Sequence, residues 1–375
     1  MLYRYLSAIV LVTVLTGLLL TSCGDDGGGG TDLGDGSNDT FDRGAMLAHW
    51  ADNIIIPAYL NYQSSLEGLV ASSEAFVGEP SATTLSTLKN SWQQSYLSWQ
   101  RVSMFEIGKA EQLVLRSFTN IYPTDTTGLL DNISSGTYNL ALASKYDEQG
   151  FPAIEYLLFA HDENETVEDF AGNNAQGQYL LDLTSRLQSL TNEVVEDWQG
   201  GYRETFVADD GSSGTSSVNK MVNDYIFYYE KSLRAGKVGI PAGIFSGSPL
   251  PNTVEARYSG DFAKPLFLEA LNATQNFFNG TPYSGGSNGP SLRAYLDHLN
   301  TIREGEDLGL LIDDQFESAR LAAAGLDNSF FAQVESDNSA LLALYDELQK
   351  NVILLKVDML QALNINVDFV DADGD

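Results

Sequence analysis

The feature that most restricts this chain is the spacing of its apolar residues, which return every three or four positions in one segment after another. That is the period of an α-helix with one face turned to a core, whereas a half-buried strand alternates. From Met46 to Phe76 the set is Leu47, Trp50, Ile54, Tyr59, Tyr62, Leu66 and Leu69, with Pro57 placed to kink or break the helix. A second helix is expected over about Ser81 to Ile107, capped by Ser81, with Leu85, Leu88, Trp92, Tyr96 and Trp99 on one face. Residues 119–150 are rich in Thr, Asn, Ser and Gly and read as short helices between turns. A short apolar helix follows Pro152, and Leu180, Leu183, Leu187, Leu190, Val194 and Trp198 mark a strongly amphipathic one.

The second half repeats this style, with helices expected over about Val218 to Ala235, Phe262 to Phe278, Leu292 to Leu299, Leu308 to Ala324 and Ser339 to Leu363. No segment alternates for long with β-branched residues, so no sheet is expected. Residues 207–217, rich in Asp, Gly and Ser, are the best linker in the folded region. The expected fold is all-α, as two packed helical bundles: an N-terminal bundle over 41–206 and a C-terminal bundle over 218–370.

The start of the chain is of another kind. Arg4 is the only charge before Cys23, and Leu6 to Leu20 are almost all apolar. Leu20-Thr21-Ser22-Cys23 resembles a lipobox, in which an apolar residue and small residues precede the cysteine that is lipidated. Residues 1–22 are thus expected to be a lipoprotein signal peptide and Cys23 the site of a lipid anchor to a membrane. The apolar run is short for a spanning helix, which needs roughly 20 residues. Residues 23–40 read as a flexible Gly- and Asp-rich tether. Cys23-Gly24-Asp25-Asp26 resembles the acidic signal that sends Bacteroidetes lipoproteins to the cell surface, though a generic acidic linker has the same look. The expected location is therefore the outer membrane, on the periplasmic side or the surface.

Acidic residues outnumber basic ones by 51 to 20, for a formal net charge of -31. Such a surface repels nucleic acid, which is excluded as a partner, and favours cations or basic partners without specificity. Cys23 is the sole cysteine, so no disulfide forms within the chain.

Of the three histidines, His49, His161 and His298, none belongs to a His-x-x-Glu or His-Glu-x-x-His pattern, and no phosphate loop or dinucleotide fingerprint is present. The unusual segment is Gly150-Phe151-Pro152-Ala153-Ile154-Glu155-Tyr156-Leu157-Leu158-Phe159. Gly150 permits a special backbone angle, Pro152 suits a first helical turn, and Glu155 is read as a first-turn acid that complements the helix dipole. An acid within an apolar run, if buried, must be paired or protonated.

This segment resembles the imelysin signature, Gly-x-His-x-x-Glu followed by an apolar stretch. Trp99 to Gly108 resembles that family's tryptophan helix ending in an acid and a glycine. Lys237 to Gly243, with Pro251 to Ser259, resembles its Lys-x-Gly-x-Pro and Glu-x-x-x-Ser block. With the leader, the resemblance covers about Phe41 to Phe369. It implies two four-helix-bundle-like domains with a functional cleft at their interface, and a binding set of Glu106, Gly150, Pro152, Glu155, Lys237, Glu255 and Ser259. Glu106, Glu155 and Glu255 are the candidate metal ligands, with iron or calcium as candidate ions. Lys237 would neutralise one or more of these carboxylates, or form a structural ion pair that fixes the docking of the bundles.

The chain departs from the family where it matters. Pro152 stands at the histidine position, and proline neither binds metal nor moves protons. His and Glu three apart would have shared one helix face and gripped one ion. Imelysins are also called insulin-cleaving membrane proteases, and this departure places that chemistry in doubt. Some imelysin-like proteins belong to iron-uptake systems, so the resemblance points to a non-catalytic envelope protein that binds a metal ion, an iron carrier or a protein partner of such a system. A metallopeptidase and a structural or adhesion lipoprotein remain as alternatives. Separately, Asp371, Asp373 and Asp375 match the opening of a calcium loop, but the chain ends before the Glu that completes one, and a loosely ordered acidic tail is the other reading.

Overall fold

Helices make up nearly all the regular structure of residues 40–303 and 305–368, which the computed structural model describes. The expected all-α fold is what is found. One two-residue strand pair departs from it, with Ile302 opposite Asp307 and Arg303 opposite Glu306. The expectations for Cys23, the leader and most of the tether, and for Asp371, Asp373 and Asp375, lie outside the described residues.

Pro57 neither ends nor sharply breaks its helix. The chain runs as Arg43–His49, widens into a π-helical stretch at Trp50–Ile55, and returns to α-helix at Ile56–Gly78. Proline has no N–H to give the carbonyl four residues back, and that carbonyl, Asn53 O, instead accepts the Tyr283 N–H at 2.8 Å. The next helix, Ala82–Gln100, starts in a capping box: Ser81 Oγ accepts from Thr84 N–H, and the Thr84 side chain answers to Ser81 N–H. It stops seven residues before the expected Ile107. The chain turns at 101–104, and the Glu106 N–H is taken by the Asp224 carboxylate at 2.6 Å.

The Ile56–Gly78 helix packs between Ala82–Gln100 and Asn174–Asp197, and Gly150–Phe159 closes against the latter two. In the second half Leu308–Ala324 lies on Ser339–Val352, which packs against Tyr228–Gly239. Ala263–Asn279 joins the halves, touching both Leu308–Ala324 and Ala82–Gln100. The core is correspondingly continuous, from Met46 to Ile365. Trp50 meets Phe277 with ring centroids 4.8 Å apart, and Trp92 meets Phe262 at 5.6 Å. Burying an apolar side chain of this kind contributes about 1.5–3 kcal/mol. The expected linker is the turn between the Arg203–Ala208 helix and Ser216, which caps Ser217–Phe227. No described helix is long and apolar enough to cross a membrane.

Candidate functional site

Gly150 is where the site begins. Its φ is +76°, a region open to glycine, and a Cβ there would stand 2.1 Å from the Thr119 carbonyl oxygen. This close approach seats the Gly150–Phe159 helix against the end of the short Leu115–Thr119 helix. Pro152 falls among the first helical positions, whose N–H groups have no intrahelical partner, so its missing donor costs nothing. Because the helix starts at Gly150, Glu155 lies in its second turn, and the first-turn dipole argument does not apply.

Glu155 is 2% exposed. One oxygen, Oε1, accepts the backbone N–H groups of Tyr258 at 2.6 Å and Ser259 at 2.8 Å. Burial pushes its pKa up to about 8, against the pull of those two donors and of Arg257, with Glu255 adding a smaller push in the same upward direction. The donating loop is held tightly. Ala256 adopts φ +56°, rare for a residue with a side chain, and Ser259 Oγ donates to the Ala256 carbonyl at 2.8 Å.

Glu255, on the same loop, is ion-paired with Lys237, and both are buried. Asn120 Nδ2 donates to Glu255 Oε1 at 2.8 Å. The Tyr96 hydroxyl stands 3.0 Å from Glu255 Oε1 and 2.6 Å from Asn120 Oδ1, and its one proton serves one of them. Tyr96 is aimed there by stacking on Phe151 at 4.4 Å. Burial lowers the Lys237 pKa, and the Glu255 carboxylate opposes that shift. Lys237 is carried by Tyr228–Gly239, a π-helical continuation of Ser217–Phe227 that runs beyond the expected end at Ala235. Wide helical turns of this kind occur often at functional sites.

Glu106 belongs elsewhere. Its Oε1 accepts the Arg116 N–H at 2.7 Å, its Oε2 lies 3.3 Å from Arg116 Nε, and Arg116 also pairs with Asp224. Burial raises the pKa of both Glu106 and Asp224, and Arg116 pulls each down. The expectation that Glu106, Glu155 and Glu255 share one metal site is therefore corrected. Each acid is held by its own donors, and no three His, Cys, Asp or Glu side chains among the described residues are grouped to hold a metal ion.

Between these two clusters lies a cleft of about 300 Å³, with Trp99, Asn120 and Tyr122 on the N-terminal side and Tyr228, Ser232 and Lys237 on the C-terminal side. Arg116 lines it too, and also lines a neighbouring hollow of about 570 Å³ that contains Glu106 and Asp224. Sequence reasoning had passed over Arg116, Asp224, Asn120 and the hydroxyl of Tyr96. Tyr96 was legible only as a core residue, and the other three carry no spacing signal.

With this geometry in place, comparison with known proteins decides the family: the imelysin model matches residues 55–355. The chain is an imelysin-family protein. Two solved structures share its fold. One, from Parabacteroides distasonis ATCC 8503, bears the name iron-regulated protein A precursor; it has a TM-score of 0.72 and 17% identity over 86% of this chain and 95% of that one. The other is an imelysin-like protein from Psychrobacter arcticum 273-4, with a TM-score of 0.69 and 18% identity over 88% and 97% of the two chains. No curated protein matches. In this imelysin Pro152 is buried in the first turn of its helix, and Glu155 is buried and turned onto two backbone amides.

Proposed function

We propose that this imelysin is a non-catalytic binding protein of the cell envelope that serves iron acquisition, held to a membrane by lipid on Cys23. The observation that carries the reading is the state of the retained acids. A peptidase of the metal type needs a carboxylate free to bind an ion or to take a proton from water. Here Glu255 is bound to Lys237, Glu106 to Arg116, and Glu155 to two amides, while Pro152 supplies no ligand. What the arrangement leaves open is the cleft between them, at the low end of the size of small-ligand sites. The Parabacteroides neighbour is named for iron regulation and as a precursor, which supports both the iron role and export.

The test is a peptidase assay on the purified protein with unfolded casein, with and without added zinc or ferrous iron. The substrate is expected to stay intact, and cleavage that disappears in Glu155→Gln would overturn the reading. In cells, Cys23→Ala is expected to move the protein from the membrane to the soluble fraction. Normal growth of a deletion strain under iron limitation would count against the iron role.

A further inference from the structure

Acids outnumber bases in this chain by 51 to 20, yet the cleft between the two clusters is lined by Arg116, Lys231 and Lys237 and by no Asp or Glu. The charged side chains that line the site are thus all basic, in a chain that is mostly acidic. The acids that balance these cations sit behind them. Glu255 takes one N–H of Lys237, and the other two have no partner among the described residues. Arg116 spends Nη2 on Asp224 and turns Nε toward Glu106; its Nη1 makes no hydrogen bond among the described residues. Gln100, buried in the same lining, has an Nε2 with no partner among the described residues either. Trp99, Ile121 and Ile240 add apolar surface.

Resting on the reading of this cleft as the binding site, we propose that its ligand is a small organic anion with more than one carboxylate, free or carrying a metal. Lys237 and Arg116 would hold it from the two halves of the chain. Charge-assisted hydrogen bonds to carboxylates are the strong kind, and an Arg offers them in a planar fork. A bare metal cation entering the cleft meets ammonium and guanidinium groups, not carboxylate oxygens.

Calorimetric titration of the full chain with citrate tests this. Binding at one citrate per chain is expected, weakening as salt is raised. Ser232 lines the cleft, is half-buried, and has no side-chain hydrogen bond among the described residues, so Ser232→Asp adds a like charge without removing a contact. It is expected to weaken citrate binding about tenfold or more. Lys237→Met combined with Glu255→Gln, which removes the ion pair as a unit, is expected to weaken binding to a similar degree with the unfolding midpoint retained. No heat at millimolar citrate, or binding unchanged in both variants, would overturn the proposal. So would tight binding of ferrous iron alone that Ser232→Asp strengthens, which would leave the wider binding role standing. Casein cleavage that depends on Glu155 would instead remove the wider role.

Discussion

Glu155 and Lys237 show two ways of keeping an ionisable group inside a protein. Lys237 is paired with Glu255, which opposes the lowering of its pKa by burial, and Glu155, with a pKa of about 8, is mostly protonated at neutral pH. An acid whose folded pKa lies above its unfolded value binds a proton on folding. Its contribution to stability is fully present below about pH 4.5 and is lost as pH rises toward 8. Glu155→Gln removes that proton, so the stability of the wild type relative to the variant should fall by about 1.4 kcal/mol per pH unit across this window. Urea midpoints measured from pH 5 to pH 8 check this, and parallel curves would show that Glu155 does not titrate there. For the ion pair, Lys237→Met alone leaves a buried carboxylate without its cation and should cost about 3–5 kcal/mol. Adding Glu255→Gln should recover most of that loss, which a denaturation cycle over the four proteins would read.

At the scale of elements, the contrast is between caps the chain announces and contacts it does not. Ser81 was legible as a cap because Ser before an apolar-periodic run has one local use, and the structure adds Thr84 as its partner. Ser81→Ala should cost about 1 kcal/mol in urea unfolding. Gly150 was legible as a glycine with a special angle, but the reason for it lies 31 residues away, at the Thr119 carbonyl. Gly150→Ala combines an unfavourable backbone region with a clash against main chain that cannot rotate aside. It should cost roughly 3 kcal/mol or more. A loss no larger than that of Ser81→Ala would mean the end of the Leu115–Thr119 helix moves freely. Helix ends were less readable than helix faces. Ala82–Gln100 stops early and Ser217–Phe227 runs on into Tyr228–Gly239, because partners remote in sequence decide where the last turns unwind or widen.

Over the whole molecule, a net charge of -31 must be carried by one continuous core. Self-repulsion opposes the compact state and is screened by salt. The unfolding midpoint should therefore rise between low salt and about 0.5 M sodium chloride, a range over which the screening length shrinks several-fold. A midpoint that falls would indicate that the buried and half-buried ion pairs dominate instead. The core itself joins both runs of helices, through pairs such as Trp50 with Phe277 that no local pattern relates.

The helical class, the faces of the helices, the acidic surface and the family kinship through Gly150, Glu155, Lys237 and Glu255 all followed from sequence. They depend on residue type and short spacing, which a linear chain displays directly. The partition of the acids did not follow. Only the folded chain brings Arg116 to Glu106, Lys237 to Glu255 and the Tyr258 and Ser259 amides to Glu155, because each of these contacts spans a separation that spacing rules do not reach. Burial then pushed the pKa of Glu155 and of Glu106 upward. The cost of removing an ion from water depends on what surrounds it in space, and neighbours in the chain say little about that.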